Sequence, residues 1–302
     1  MMMEEFTKEL ATLLKERMKN CEVTSDIVQR YNGVKRQALL IRGDGERTAP
    51  VFYMDKEYER YKEGGVTIEE IAETIIRQYE ELSETPFENL EDILSGQDVI
   101  ERITIRLLNM QENLRMIEEK QLVHHEVENT DLVCLFHYNF SGQEKSCSFA
   151  ITKLFLEQYL PKIANGEELF HNVIQRVTEK NLFLMTMDKV VGERYGCPEM
   201  FENRELTGMY ILSNPEDVFG AFMILTESAR KEILKLFPEG RVTILPSSVH
   251  ELIIFATREN ENVAVYQEMV RSVNESVLAR EEYLSNNVYH FDSNTGRLEI
   301  AE

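Results

Sequence analysis

The chain has 302 residues, 43% of them apolar and 29% charged, a balance that can bury a real core and does not describe a disordered chain. Its 33 basic and 54 acidic residues leave a net charge of −21, which argues against binding to nucleic acid or an anionic membrane, since both need a basic face. No run approaches the ~18–20 apolar residues of a membrane-spanning helix. The first twenty residues lack the basic and apolar regions of a signal peptide, so a cytoplasmic protein is expected.

Phe6, Leu10, Leu13, Leu14 and Met18 recur at helical spacing and predict a helix over Glu4 to Lys19. A short helical or irregular piece is expected next, ending at the turn Tyr31-Asn32-Gly33. Two apolar runs, Ala38 to Arg42 and Val51 to Met54, predict a hairpin. Asp55 is placed to cap a helix over Lys56 to Glu63, which Gly64-Gly65 would stop. Thr67, with Glu70 three residues on, predicts a capping box at the start of a second helix.

Pro86 to Lys120 reads as a helical linker ending in a long amphipathic helix, "VIERITIRLLNMQENLRMIEEK". A strand (Leu132 to Phe140), a turn (Ser141 to Lys145) and a return strand (Ser146 to Ile151) follow. Thr152 then caps a helix over Lys153 to Leu160, and another helix follows Asn165-Gly166. The pattern returns with a strand over Gly208 to Asn214, a return strand over Val218 to Leu225, and a helix capped by Thr226. Beyond it lie strands at Val242 to Leu245 and Leu252 to Ala256, a helix over Val263 to Val277, and a hairpin over Asn287 to Ala301.

The predicted fold is therefore α+β. It has three successive strand-turn-strand-helix (ββα) units, with antiparallel sheets flanked by helices and a helical linker. Such repetition arises by duplication or from the small menu of α+β packing. Residues 1–95 would hold the N-terminal helix and first unit, 96–200 the linker and second unit, and 201–302 the third.

Several phrases together resemble an uncharacterised bacterial domain-of-unknown-function family common in gut anaerobes. They are "YNGV" (Tyr31 to Val34), "VFYMDKEYERYKEGG" (Val51 to Gly65), "RLLNMQENLRMI" (Arg106 to Ile117), "VTEKNLFLMTMDKV" (Val177 to Val190), "ILPSSVHELIIF" (Ile244 to Phe255) and "NNVYHFD" (Asn286 to Asp292). The resemblance covers nearly the whole chain, and its most specific element is the proline-serine-serine-x-histidine-glutamate phrase. The chain departs from the family's pattern at Asn181-Leu182-Phe183, where an Asn-Thr-Pro stretch would stand. The resemblance implies no activity.

Ser247, Ser248, His250 and Glu251 are the candidate ligand-binding residues. A serine nucleophile needs a base within hydrogen-bond reach and a third group to orient that base. His250 and Glu251 are adjacent, so on a strand they point to opposite faces. Position 254 is Ile, so "HELII" is not an H-E-x-x-H zinc motif. A structural turn is the plainer reading, with Pro246 fixing φ and the serines bonding nearby amides.

His124 and His125, with Glu126, Glu128 and Asp131, form the other polar cluster and read as a solvated loop. His290 stands isolated. The four cysteines, Cys21, Cys134, Cys147 and Cys197, contain no C-x-x-C pair and are expected to be reduced. Cys134 and Cys147 fall on strands expected to pair. No metal site, cofactor or phosphate loop is expected.

The sequence thus leaves the function open. It favours a binding or regulatory protein that acts through contacts with protein partners. The alternatives are a hydrolase or metal-dependent enzyme centred on Ser247 to Glu251, and an acidic DNA mimic or mobile-element protein.

Overall fold

The computed structural model describes residues 1–45, 49–84, 99–140, 147–194, 196, 208–259 and 261–302. They form two compact units, Met1–Ile93 and Leu94–Glu302. The fold is mixed α and β, and all strand pairs among the described residues are antiparallel.

The first unit starts with helix α1, Met3–Arg17. Phe6, Leu10 and Leu14 share one face and are fully buried. Glu4 and Glu5 in the first turn and Lys15 and Arg17 in the last complement the helix dipole. Strand β1, Cys21–Gln29, follows, where the sequence suggested a short helical or irregular piece. Its β-branched Val23, Thr24, Ile27 and Val28 favour extended backbone. Asn32 (φ 55°) and Gly33 (φ 71°) turn the chain into β2, Lys35–Gly43.

Strand β3, Val51–Tyr53, completes the sheet in the order β1-β2-β3. Asp55 does not cap the next helix, α2 (Asp55–Lys62); Met54 holds that position without a side-chain bond. The Asp55 carboxylate instead meets Arg36 Nη1 at 3.0 Å. Helix α3, Ile68–Glu84, has the predicted capping box. Glu70 N–H donates to Thr67 Oγ1 at 3.2 Å, and Thr67 N–H to Glu70 Oε2 at 2.8 Å. Ile71, Ala72, Ile75 and Tyr79 turn inward, against the core that α1 shares with Val23, Leu39 and Ile41.

The second unit carries two sheets. The smaller has the order β4-β6-β5, with β7 also on β6. Its strands are β4 (Ile103–Asn109), β5 (His124–Glu126), β6 (Leu132–Phe140) and β7 (Cys147–Ala150). The expected long linker helix is thus corrected. Residues 99–102 are a 3-10 turn, 103–109 a strand, and only Met110–Glu119 (α4) is helical. Ile103, Ile105 and Leu107 alternate inward with period two. Asn109 then sets the helix start, accepting the Glu112 N–H at 3.2 Å.

The Pro86 to Gly96 approach and the Ser141 to Lys145 turn lie outside the described residues. Cys134 and Cys147 are not neighbours. Cys147 pairs with Phe140, while Cys134 sits opposite Leu107 and His125. Burial pushes the Cys134 thiol far above its usual range.

Helices α5 (Lys153–Tyr159) and α6 (Gly166–Ile174) are capped by Thr152 and Asn165, which accept from Phe155 N–H and Glu168 N–H. The larger sheet has the order β13-β12-β10-β11-β9-β8. Its strands are β8 (Phe183–Thr186), β9 (Tyr210–Ser213), β10 (Arg241–Pro246), β11 (Leu252–Ala256), β12 (Tyr289–Asp292) and β13 (Arg297–Ile300). The sequence did not suggest β8. Helices α7 (Met187–Arg194), α8 (Glu227–Leu236) and α9 (Val263–Ser276) lie between these strands in the chain.

The expected return strand over Val218 to Leu225 is also corrected. Gly220–Leu225 is a 3-10 helix, entered through Phe219 in the left-handed conformation. Gly220 to Ile224 are all buried, and an apolar run buried on every side gives no period from which to tell strand from helix.

Candidate functional site

Pro246 ends β10 and Leu252 opposes it on β11, so Ser247 to Glu251 form the connection between two core strands. Ser248 is buried, and its Oγ accepts the His250 N–H at 3.0 Å. Ser248 N–H donates to the Glu251 carbonyl at 3.2 Å. Ser247 Oγ donates to Glu251 Oε1 at 3.2 Å. Both hydroxyls and the main chain thereby take part in holding the turn, as ST-type turn bonds do.

The His250 imidazole takes its hydrogen bond from outside the turn. Its Nδ1 accepts the Phe219 N–H at 3.0 Å, which puts the ring proton of the neutral form on Nε2. Glu282 Oε1 lies 3.9 Å from Nε2. The rings of His250 and Phe219 are tilted at 43° with centroids 5.2 Å apart. The turn therefore brings no serine hydroxyl to the base, and Glu251 is bonded to Ser247 rather than to the imidazole.

What the turn does hold is the loop Ser213 to Gly220. Ser213 Oγ donates to the His250 carbonyl at 2.8 Å. Asn214 clamps Val218 with its side chain, donating to its carbonyl at 2.8 Å and accepting its N–H at 3.1 Å. Asp217 (φ 53°) and Phe219 (φ 54°) are both left-handed, a conformation that costs a residue with a β-carbon about 1–2 kcal/mol. A Cβ at Gly220 would stand 2.5 Å from Asn214 N and 2.7 Å from the His250 carbonyl oxygen. Only glycine fits where the loop crosses the turn.

Phe219 forms part of the wall of a cleft of about 500 Å³ within the second unit, a size typical of small-ligand sites. The small sheet supplies another part of the lining. There the Arg106 guanidinium lies 4.1 Å from the centre of the Phe219 ring, a cation–π contact, and its Nη2 donates to Ser148 Oγ at 2.6 Å. Asn139 Nδ2 donates to Thr104 Oγ1 at 3.2 Å on the same wall. Val173 near the end of α6 and Arg176 and Val177 just beyond it contribute, as do Phe222 and Met223 of the 3-10 helix. Asn181 also reaches the cleft, with its Oδ1 engaged by Thr178 N–H at 3.0 Å.

None of Ser247, Ser248, His250 and Glu251 is among the described residues lining the cleft; they stand one layer behind it. Sequence reading missed the cleft because its walls come from segments far apart in the chain. The signals that could have pointed to it were Arg106 between alternating isoleucines and the Phe219-Gly220 pair after a turn.

Two further polar groups complete the unit. His290 is not isolated: its Nε2 meets Glu261 Oε1 at 2.6 Å, and Thr243 Oγ1 bonds both Glu261 oxygens at 2.9 Å. Asp131 binds Tyr289 Oη at 2.5 Å, Ser285 Oγ at 2.8 Å and Asn109 Nδ2 at 2.9 Å. Burial first, and the Asp131 charge second, hold the Tyr289 phenol well above its usual range.

His124 and His125 lie on β5 rather than in a loop. His125 stacks on Phe170 at 4.2 Å, and burial lowers its pKa below the ordinary value despite the neighbouring Glu167. Among the described residues, no group of three His, Cys, Asp or Glu side chains is placed to hold a metal ion. No helix among them is long and apolar enough to cross a membrane.

Residues 3–293 match the family of unknown function DUF5688, and the chain belongs to that family. Neither the curated proteins nor the solved structures contain a match. Kinship is therefore established without an activity attached to it.

Proposed function

We propose that the chain is a cytoplasmic binding or regulatory protein whose ligand site is the cleft between the small sheet and Phe219. The observation that carries this reading is the hydrogen bond from Phe219 N–H to His250 Nδ1. It keeps an aromatic residue in an unfavourable backbone conformation at the wall of a cleft of about 500 Å³. Strained backbone that the surrounding structure holds in place clusters at binding sites. On this reading Ser247, Ser248, His250 and Glu251 position the site rather than touch the ligand. The strongly acidic remainder of the chain suits contacts with protein partners while opposing nucleic acid.

Crystals of the full chain soaked with a diverse fragment library test the idea. Fragments are expected to collect against Phe219 and Arg106. Hits confined to the Ser247 to Glu251 surface, with the cleft empty, would reject it.

A further inference from the structure

We infer that the cleft takes a ligand carrying both a free ammonium and a free carboxylate on an apolar frame: an apolar amino acid or a short apolar peptide with open ends. The inference rests on the cleft being the binding site and adds the chemistry of what enters it.

Arg176, Glu101 and Glu216 all line the cleft, and none makes an ion pair among the described residues. Opposite charges thus face one cavity without closing on one another. The Arg176 guanidinium offers five N–H donors in a fork that fits a carboxylate. The two glutamates offer only acceptors, which an ammonium satisfies. Val173, Val177 and Met223 add apolar lining to the same cleft. The whole chain sharpens the choice. At −21 it repels a simple anion at long range, whereas a ligand with no net charge meets no such barrier and still pairs locally at both ends.

The free acid and the peptide share this chemistry, and their sizes separate them. Calorimetric titration of the full chain with L-leucine and with L-leucyl-L-leucine identifies which source fits. The dipeptide with its amine acetylated, and the dipeptide with its carboxylate amidated, remove one charge at a time.

Each capped form is expected to bind about five- to tenfold more weakly than the open form, the scale of one exposed ion pair strengthened in a cleft. Arg176→Gln should abolish the preference for the free acid over the amide. Glu101→Gln with Glu216→Gln should abolish the preference for the free amine. All three positions are exposed, so unchanged thermal unfolding is expected to show that the variants fold. Equal binding of capped and open dipeptides overturns the inference while leaving the cleft as a site. No binding by leucine or any dipeptide also overturns it, and fragment occupancy of the cleft then reports separately on the site itself.

Discussion

His250 Nδ1 accepts the main-chain N–H of Phe219 at 3.0 Å, across 31 residues of sequence. Through this bond the turn after β10 fixes the backbone of a loop that forms the cleft wall. The turn Ser247 to Glu251 therefore braces the cleft wall from behind.

Gly220 should be the least replaceable residue of this brace. Gly220→Ala sets a methyl group against main-chain atoms of Asn214 and His250, which cannot yield as a flexible side chain does. A loss of about 2–3 kcal/mol in urea unfolding is expected, with weaker binding in the cleft. Wild-type stability in this variant would mean that the loop does not lie against the turn.

Asp131 should behave as a hub. Asp131→Ala removes the acceptor of the buried Tyr289 hydroxyl and of two further donors, and should cost about 3 kcal/mol. Tyr289→Phe should cost about 1.5 kcal/mol. Because both changes break the same bond, the double variant should lose clearly less than the sum. Additive losses would contradict the shared bond.

The pH response follows from His125. Burial favours its neutral ring in the folded state, so as pH falls through about 6.5 the unfolded chain takes up the proton first. Stability should fall as pH drops through that window and stop falling once the folded ring is itself protonated. His125→Phe keeps the stack on Phe170 without the titration, so the wild type should lose stability relative to this variant between about pH 7 and pH 5. Parallel curves would contradict the assignment.

Much of the fold was legible in the sequence, and particular residues explain why. Thr67, Thr152 and Thr226 cap helices where their spacing from the next apolar run suggested. The strands Arg241–Pro246 and Leu252–Ala256 are short apolar runs bounded by turn residues, which read as strands without alternation. The failures have physical causes. Ile103 to Leu108 carries apolar residues at spacings that suit a strand and a helix alike, and only pairing with β6 decides between them. Gly220 to Ile224 is buried all round, and its helical course follows from the left-handed Phe219 and the crowding at Gly220. The role of His250 was hidden because its partner is a backbone amide, which no side-chain pattern reveals. The cleft was hidden because Arg106, Arg176 and Phe219 meet only in three dimensions.

The bond between Phe219 and His250 is tested most directly by the nitrogen NMR spectrum of the His250 ring in the full chain near neutral pH. The bond from Phe219 predicts an unprotonated Nδ1, a protonated Nε2, and a scalar coupling across it to the Phe219 amide. A protonated Nδ1 with no coupling to Phe219 would contradict it, and would free the imidazole for the chemistry that its position behind the cleft denies it.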